Sequence, residues 1–599
     1  MNNHNTIISR TDYIVKLVSI LTSIFVIAAI IIDYGFELDA YEMSFILSVY
    51  NIGWWVYFIS FAYNVVVHWK AVWRKRISFT LILGIMLCTS ALPRFFNIPG
   101  DSQALAVLWS FLIHKYFIIS VIGLLSLITI SQWIVNFVNK RTNPALLIVV
   151  CFIMVIVFGT LLLMLPRSTL DHIRLPMVDA LFVSTSAVCV TGLSTIEIAH
   201  TFTMEGQIII ALLIQIGGLG IMTITSFFAL FFMDGIGLYS QFSLKNMIAS
   251  SSASLKSVLI NVIGFTFVIE IFGIFFIWFS IHSSMGMTFY DEIFFSLFHS
   301  VSAFCNAGFS TLEGNLGNDL ILFNHNSFYL VISLLIVLGG IGFPILMNLK
   351  RILSYYVSEL FHKVFKRNGH RPRYIHIADI NTKIVLYSTL ALILLGAIGI
   401  ALFEWNGSFT SFSASEKIVQ SLFNAVAPRT AGFNSVAISD FSRVTIILYL
   451  ALMWIGGGSQ STAGGIKVNT FVVALASFKS LIKGEHSTTL FNREITYSSI
   501  RRTLVVVFGS ICIIALFYVA LLLLEPNIPS IDLFFECVSA FSTVGASLGI
   551  TPFLGNISKI LLVVLMFLGR VGFITVLMSI LPQKEQPKYR LPKEEIIIN

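Results

Sequence analysis

A short apolar segment that ends at a glycine occurs four times in this chain. The four glycines follow one another at similar spacing: Gly192, Gly308, Gly432 and Gly545. Each short segment has about 10–14 residues, which is too few for a helix to cross a bilayer. Because the same unit recurs along the chain, we predict four equivalent repeats that assemble side by side.

A long apolar segment lies before and after each short segment. The first long segments cover about 143–166, 257–281, 382–404 and 502–524, and the second cover about 205–232, 325–349, 444–477 and 556–581. Hydrophobic residues make up 57% of the chain and charged residues 11%, whereas soluble domains carry about 25% charged residues. The chain is therefore predicted to be an all-α polytopic membrane protein.

The distribution of charge along the loops predicts the topology. The net charge is +8, and most loops after the second long segments are basic, as at Lys350 and Arg351. The loops beside the short segments contain acidic residues such as Glu404 and Glu525, which we expect to form a solvated outer rim. Basic loops stay in the cytoplasm, so both termini are predicted there, and the short segments enter from outside. The excess of basic residues thus indicates topology in a cell inner (cytoplasmic) membrane and not binding of nucleic acid.

Four further apolar segments precede the repeats, at about 14–32, 43–67, 78–97 and 108–138. The predicted organisation is an N-terminal extension with about four transmembrane helices and four pore repeats, the third with an interrupted gate helix and the fourth with a cytoplasmic tail. The extension covers 1–140, and the repeats cover 141–250, 251–380, 381–500 and 501–599.

The glycine turns suggest a chemistry for the four repeats. Irregular backbone at membrane depth is tolerated only where protein buries it or where it lines a water-filled cavity. A ring of backbone carbonyls can replace the hydration shell of a monovalent cation, and glycine enters left-handed conformations without a Cβ clash. We therefore predict four tandem helix–pore-loop–helix repeats in a pseudo-fourfold ring. The predicted filter for a monovalent cation comprises Val190, Thr191, Gly192, Leu193, Asn306, Ala307, Gly308, Phe309, Thr430, Ala431, Gly432, Phe433, Thr543, Val544, Gly545 and Ala546. Glycine-mediated helix packing is the alternative interpretation of any one of these turns.

The second long segment of repeat 3 contains a stretch that is rich in glycine, serine and threonine. Such a stretch does not favour a helix in mid-membrane, so we predict a loop beneath the filter that closes the pore. A kinked helix is the alternative. Arg570 lies at the matching depth of repeat 4, and we expect it to face the pore and bond to the loop, with a salt bridge to Glu270 as the alternative. Glu270 itself is expected to be a helix–helix hydrogen-bond partner. The predicted gate comprises Gly456, Gly457, Gly458, Ser459, Gln460, Ser461, Thr462, Ala463, Gly464, Gly465, Lys467 and Arg570.

Taken together, these motifs resemble the Trk/Ktr/HKT superfamily of potassium transporters over about 143–582. The resemblance is carried by the four turns, by Ser461-Thr462-Ala463-Gly464-Gly465-Ile466-Lys467 and by Gly569-Arg570-Val571-Gly572. It implies K⁺ uptake through a channel-like pore, a homodimer in the membrane lipid with one pore per protomer, and control by a cytosolic nucleotide-binding regulatory ring subunit. Serine at the first filter glycine goes with sodium preference in this superfamily, and Gly192 stands there in this chain. The third short segment is one residue shorter than the others, and the gate loop reads Gly458-Ser459-Gln460-Ser461 where the family often has Ser-Pro-Gly-Ser.

Two other functions are alternatives for this chain. One is a K⁺ symporter driven by Na⁺ or H⁺, or a less selective K⁺/Na⁺ channel; coupled transporters usually have inverted repeats, whereas these repeats all start from the same side. The other is a membrane enzyme, which would need clustered catalytic side chains or a phosphate-binding loop. The Gly464-Gly465-Ile466-Lys467 stretch lacks the spacing of such a loop. We therefore expect no enzymatic activity and no organic cofactor in this chain, with K⁺ as the transported ion.

Overall fold

A computed structural model describes the chain over most of its length. The described residues are 2–67, 84, 86–91, 114–137, 144–170, 174–232, 255–282, 286–322, 325–364 and 379–580. The chain divides into two compact units. The first combines Met1–Arg141 with Met164–Arg174 and Phe231–Ile236, and the second combines Thr142–Leu163, Leu175–Leu230 and Gly237–Asn599. The predicted cytoplasmic tail lies almost entirely outside the described residues.

The first unit contains the helices α1 (Asn2–Gly35), α2 (Ala40–Val67) and α3 (Lys115–Phe137). Its buried polar groups are paired, as a low-dielectric interior requires. The Tyr57 hydroxyl lies 2.7 Å from the Ser23 hydroxyl and 2.8 Å from the Ser126 hydroxyl, which ties the three helices together. The predicted segment 78–97 falls mostly outside the described residues, so the number of N-terminal transmembrane helices stays a prediction.

The second unit repeats one arrangement four times, in which a long helix is followed by a short helix, a glycine turn and a further helical segment. In chain order its helices are α4 (Pro144–Leu163), α5 (Met177–Val188), α6 (Met204–Phe232), α7 (Leu255–Ile281), α8 (Phe289–Cys305), α9 (Asn326–Ile341), α10 (Phe343–Val364), α11 (Ile380–Glu404), α12 (Ala414–Val426), α13 (Arg443–Trp454), α14 (Val468–Ile482), α15 (Tyr497–Leu524), α16 (Ser530–Ser542), α17 (Asn556–Val571) and α18 (Phe573–Ile580). A hairpin of β1 (Thr489–Leu490) and β2 (Arg493–Glu494) lies between α14 and α15, and its strands are antiparallel.

The remaining helical pieces are short. One-turn helices lie at Ile198–Thr201 and Asp319–Leu322, and 3-10 turns lie at Pro166–Ser168, Ile438–Asp440 and Thr551–Phe553. Within the described ranges, five helices are long and apolar enough to cross a membrane, and up to seven are if each bent pair forms one span. This matches a multi-pass membrane protein.

All four second segments are broken, whereas the sequence predicted an interruption in repeat 3 only. Gly220 has φ of 68° inside α6. Gly342, with φ of 105°, separates α9 from α10, and Gly572, with φ of 85°, separates α17 from α18. The two helix pairs bend by 102° and 94°, respectively. The prediction of continuous helices in repeats 1, 2 and 4 was wrong because these glycines adopt backbone angles that end a helix.

An ion pair links the last repeat to the first. The Lys559 ammonium in the first turn of α17 lies 2.7 Å from a carboxylate oxygen of Asp179 at the start of α5, and both side chains are largely buried. The pair joins the first and last repeats, and removal of one partner would leave a largely buried charge without compensation.

Two acidic residues that were expected in a solvated rim instead cap helices. Glu404 is 1% exposed, and its carboxylate accepts hydrogen bonds from the Ser442 backbone N–H at 2.9 Å and the Thr445 hydroxyl at 2.5 Å. Glu525 accepts from the Gly555 backbone N–H and the Ser558 hydroxyl, both at 2.7 Å. In repeats 3 and 4 the end of the first helix thus supplies a negative charge to the N-terminus of the second helix, where the helix dipole favours it.

We predict that Glu404→Ala lowers the thermal stability of the detergent-solubilised protein. The substitution leaves buried donors at the start of α13 without an acceptor, which costs about 1–3 kcal/mol. The midpoint of thermal unfolding measures the effect, and Glu404→Gln should lower it less because an acceptor oxygen remains. Glu494→Ala, at an exposed position in the hairpin, is the matched control. Equal midpoints for Glu404→Ala and Glu494→Ala would contradict the capping role.

Candidate cation-binding site

Three of the four short helices end with the same hydrogen bond. The backbone N–H of the residue before the glycine donates to the carbonyl of a serine five residues earlier in the chain. These bonds join Thr191 to Ser186 at 2.8 Å, Ala307 to Ser302 at 2.7 Å and Val544 to Ser539 at 2.9 Å. This six-to-one bond, with a left-handed residue inside it, is the Schellman ending of a helix. Repeat 3 differs because its segment is one residue shorter, and there Gly432 N–H donates to the Ala427 carbonyl at 3.2 Å.

The backbone of all four turns alternates in handedness. The residue two before each glycine has positive φ, and so has the glycine, whereas the residue between them does not. The φ values are 55° and 91° for Val190 and Gly192, 61° and 71° for Asn306 and Gly308, 72° and 70° for Thr430 and Gly432, and 48° and 89° for Thr543 and Gly545. A left-handed non-glycine residue costs about 1–2 kcal/mol. The surrounding structure therefore has to hold each turn, as happens at functional sites.

The four turns meet in a closed cycle. A Cβ built on Gly192 would overlap the Ala307 carbonyl oxygen and lie 3.2 Å from the Gly308 Cα. A Cβ built on Gly308 would likewise lie 3.0 Å from the Gly432 Cα, and one on Gly432 would lie 3.1 Å from the Gly545 Cα. A Cβ built on Gly545 would lie 2.8 Å from the Gly192 Cα, which closes the cycle. Side chains larger than hydrogen do not fit at these positions, so glycine is required by close approach as well as by φ.

The other predicted filter residues line this cycle or lie behind it. Thr191, Ala307, Ala431 and Val544 supply the carbonyls that face the neighbouring glycine. The residues after the glycines are buried, namely Leu193, Phe309, Phe433 and Ala546. The structure thus brings the sixteen predicted residues together from four separate parts of the chain.

The interrupted helix of repeat 3 forms an ordered loop between α13 and α14. Its neck is closed where the Gly456 N–H donates to the Ile466 carbonyl at 2.8 Å and the Val468 N–H donates to the Gly457 carbonyl at 2.9 Å. The loop is also tied to the broken helix of repeat 2, since the Gly458 N–H donates to the Gly340 carbonyl at 2.8 Å. The structure therefore shows a loop and not a kinked helix.

The loop packs against the end of the fourth short helix. A Cβ built on Gly464 would overlap the Thr543 side chain, and one on Gly465 would lie 3.3 Å from the Ser542 Cβ. Within the loop, the Ser461 hydroxyl donates to the Gly458 carbonyl at 2.7 Å and accepts from the Ala463 N–H at 3.2 Å. The loop therefore lies directly against one of the four turns, because Thr543 is the left-handed residue of turn 4.

Three basic side chains bind carbonyls in and around the loop. The Arg570 guanidinium donates to the carbonyls of Thr462 and Gly217. The Lys467 ammonium donates to the Ala463 carbonyl at 2.5 Å and lies 3.5 Å from the Gly464 carbonyl. The bonds to Thr462, Gly217 and Ala463 are charge-assisted and correspondingly strong.

Arg429 is the third basic side chain, and it was not among the predicted gate residues. Its guanidinium, 6% exposed, donates to the Gly456 carbonyl at 3.2 Å and the Thr389 carbonyl at 3.3 Å. Its signal was present in the sequence, since an arginine next to an apolar non-spanning segment is costly in a membrane.

Arg570 and Glu270 have separate partners. The Glu270 carboxylate accepts a hydrogen bond from the Gln215 side chain at 3.3 Å, which joins α7 to α6. The ion pairs found in the described part of the chain do not include an Arg570–Glu270 bridge. The expected helix–helix role of Glu270 therefore agrees with the structure, and the expected contact of Arg570 with the loop is observed.

A cavity of about 390 Å³ adjoins the loop. Its lining includes Gln460, Lys467 and Arg570 and the glycines at two helix breaks, Gly220 and Gly572. The broken helices, the loop and two of the basic side chains thus surround one space in the second unit.

Comparison with known proteins identifies the family. The family model described as TrkH, cation transport protein, matches residues 110–590. The Ktr system potassium uptake protein B of Bacillus subtilis is 35% identical over 458 residues, covering 76% of this chain and 97% of that protein. The potassium/sodium uptake protein NtpJ of Enterococcus hirae is 34% identical over 476 residues, covering 77% and 98%.

A solved structure shares the fold. The crystal structure of the potassium transporter TrkH from Vibrio parahaemolyticus aligns with a TM-score of 0.55 and 18% identity, and the alignment covers 84% of this chain and 96% of that one. These similarities extend over almost the whole length of each relative. The chain therefore belongs to the TrkH family of cation transport proteins, and it is a multi-pass membrane transporter and not an enzyme.

Proposed function

We propose that this protein takes up K⁺ across the cytoplasmic membrane through a pore whose selectivity filter is the cycle of four glycine turns. The observation that carries the proposal is the closed cycle itself, in which each glycine lies against the carbonyl before the next. Backbone carbonyls arranged in a ring can replace the water around a monovalent cation. The four short helices end at the ring, so their negative C-terminal ends favour a cation there.

The relatives support K⁺ as the ion. The B. subtilis and V. parahaemolyticus proteins are named for potassium, and the E. hirae protein is named for potassium and sodium. All four filter positions are glycine in this chain. We therefore propose selectivity for K⁺ over Na⁺, with a less selective K⁺/Na⁺ pathway as the alternative.

The loop from Gly456 to Gly465 acts, in this proposal, as a gate below the filter. It lies against turn 4, and Arg570 fastens it to repeat 1 through the Gly217 carbonyl. A fixed positive charge beside the path also raises the energy of a cation there. Opening then requires these bonds to break.

We propose that a cytosolic nucleotide-binding ring subunit, docked on a homodimer of this chain, supplies the free energy for opening. In the same proposal both termini lie in the cytoplasm.

We predict that Gly192→Ser lowers discrimination between K⁺ and Na⁺. Purified protein in proteoliposomes is assayed for ⁸⁶Rb⁺ uptake with increasing external K⁺ or Na⁺ as competitor. A serine Cβ overlaps the Ala307 carbonyl oxygen, so that carbonyl has to move. We expect the ratio of the two inhibition constants to fall about tenfold, which corresponds to about 1.4 kcal/mol.

Gly286→Ser is the matched control, because a Cβ at Gly286 has open space around it and the glycine shares the positive φ. Rubidium uptake that K⁺ and Na⁺ block equally in the unmodified protein would contradict the selective filter. If the unmodified protein shows no uptake, the assay is repeated with the co-purified cytosolic subunit, and continued absence of uptake would contradict the pore itself.

We predict that Arg570→Ala increases the rate of ⁸⁶Rb⁺ uptake in the same vesicles. The substitution removes the bonds to Thr462 and Gly217, and a hydrogen bond to a charged group contributes about 1.5–3 kcal/mol. The open population should therefore rise about tenfold or more. Arg570→Lys keeps the positive charge but cannot bind both carbonyls in a fixed fork, so its rate should be intermediate. Uptake at the unmodified rate from correctly folded Arg570→Ala would contradict the gating role.

A further inference from the structure

A polar side chain on three of the four short helices forms a hydrogen bond to a serine that follows the glycine turn. The His299 Nε2 lies 2.9 Å from the Ser310 hydroxyl, and the Asn424 amide donates to the Ser435 hydroxyl at 2.9 Å. The Glu536 carboxylate accepts from the hydroxyl of Ser547. We call these pairs the three brackets: His299–Ser310, Asn424–Ser435 and Glu536–Ser547. Each bracket joins the chain before a turn to the chain after it.

The brackets occupy equivalent positions in the repeats. His299 and Glu536 lie nine residues before their glycines, and Asn424 lies eight before its own because the third segment is one residue shorter. Repeat 1 has Val183 at this position, and an apolar side chain cannot form such a bond. The Ser194 hydroxyl donates instead to the Ile196 carbonyl at 2.5 Å within its own loop. Turn 1 therefore has no bond between this position of its short helix and the serine that follows the turn.

Burial makes the brackets energetically significant. His299, Asn424 and Glu536 are each 0% exposed, and an apolar side chain at these positions would avoid the cost of burying a polar group. Hydrogen bonds are stronger in a medium of low dielectric than in water. The three polar side chains are thus buried, where the loss of their hydrogen bonds would be costly.

The partners of His299 assign its protons. Its Nδ1 lies 2.9 Å from the Phe295 carbonyl, and a carbonyl can only accept. Nδ1 therefore carries the hydrogen, and in the neutral ring Nε2 accepts from the Ser310 hydroxyl. The ring is fixed at both nitrogens and cannot turn without losing a bond.

Glu536 holds two donors on one oxygen. Its Oε1 accepts from the hydroxyls of Ser547 and Thr551, the latter at 2.9 Å. Its Oε2 has no hydrogen-bond partner in the described part of the chain. One carboxylate oxygen thus connects α16 to two positions in the segment that follows turn 4.

We propose that His299, Asn424 and Glu536 are positioning residues that hold three of the four turns at the spacing required for ion discrimination. This inference rests on the proposed filter function. Each turn contains a left-handed non-glycine residue that its own conformational preference disfavours. A bond across the base of the turn opposes relaxation of that backbone, so loss of a bracket widens the distribution of carbonyl positions.

The test measures ⁸⁶Rb⁺ uptake competed by K⁺ or Na⁺ for Ser435→Ala, Asn424→Leu and the double variant. A net hydrogen bond contributes about 0.5–1.5 kcal/mol, so each single variant should lose about three- to tenfold in the ratio of inhibition constants while the maximal rate does not fall. The ratio of inhibition constants should fall no further in the double variant than in either single variant, because both substitutions remove the same bond. Ser194→Ala is the matched control and should stay within twofold of the unmodified ratio, since Ser194 belongs to no bracket.

Glu536→Gln adds a rescue measurement. It keeps an acceptor oxygen for Ser547 and Thr551 and should retain more discrimination than Glu536→Leu. If Asn424→Leu does not yield monodisperse protein, the serine partners are substituted instead, which is a smaller change. Ser435→Ala removes the bond to Asn424, and Ser310→Ala removes the bond to His299.

The outcomes separate this inference from the proposed function. An unchanged ratio in Ser435→Ala together with a reduced ratio in Gly192→Ser overturns the bracket role and leaves the filter in place. Unchanged ratios in both overturn the filter and the bracket role with it. If the losses in the ratio of inhibition constants add in the double variant, the two side chains act independently and the bracket role is overturned. If a variant lowers thermal stability but leaves that ratio unchanged, the side chain acts only in stability and the bracket role is overturned as well.

Discussion

The structure of the second unit depends on how buried irregular backbone finds hydrogen-bond partners. Each exposed N–H or C=O group in hydrocarbon costs several kcal/mol, and four short helices end inside the fold. At turns 1, 2 and 4 a Schellman bond pairs the N–H of the residue before the glycine, and in turns 1 and 4 serine hydroxyls accept from the glycine N–H, at 3.0 Å from Ser186 and 3.1 Å from Ser539. These donors are thus used within their own turns. The carbonyls of Thr191, Ala307, Ala431 and Val544 face the neighbouring glycine, and they are the proposed ligands of the cation.

Glycines elsewhere allow the broken helices to reach these turns. A Cβ built on Gly217 would overlap the Val188 carbonyl, one on Gly339 the Phe304 carbonyl, and one on Gly569 the Phe541 carbonyl. In repeats 1, 2 and 4 the second helix therefore contacts the C-terminal end of the short helix in its own repeat, and it breaks three residues later. Close packing of small residues is common between membrane helices, and in this chain it places the breaks and the loop of repeat 3 around one cavity.

The sequence predicted the features that are local and repeated. The four turns, the interruption at Gly456–Gly465 and the exceptional Arg570 were visible because glycine runs and a mid-span arginine depart from ordinary membrane helices. The breaks at Gly220, Gly342 and Gly572 were not predicted, because a lone glycine in an apolar helix indicates packing as readily as a break. The brackets were not predicted either. His299 and Ser310 are ordinary residues until the fold sets the chain on both sides of the turn side by side.

The three basic residues at the loop are paired with carbonyls, whereas a buried cation is usually paired with a carboxylate. Arg570, Lys467 and Arg429 together occupy carbonyls of Thr462, Ala463, Gly464 and Gly456. Carbonyl oxygens are also the ligands proposed for the ion in the filter. In the proposed gating scheme, the side-chain cations of the closed loop take the place that a permeating cation would need. In that scheme, opening the loop withdraws those positive charges and frees the carbonyls at the same time, so a single movement would change both the width of the path and its electrostatic energy.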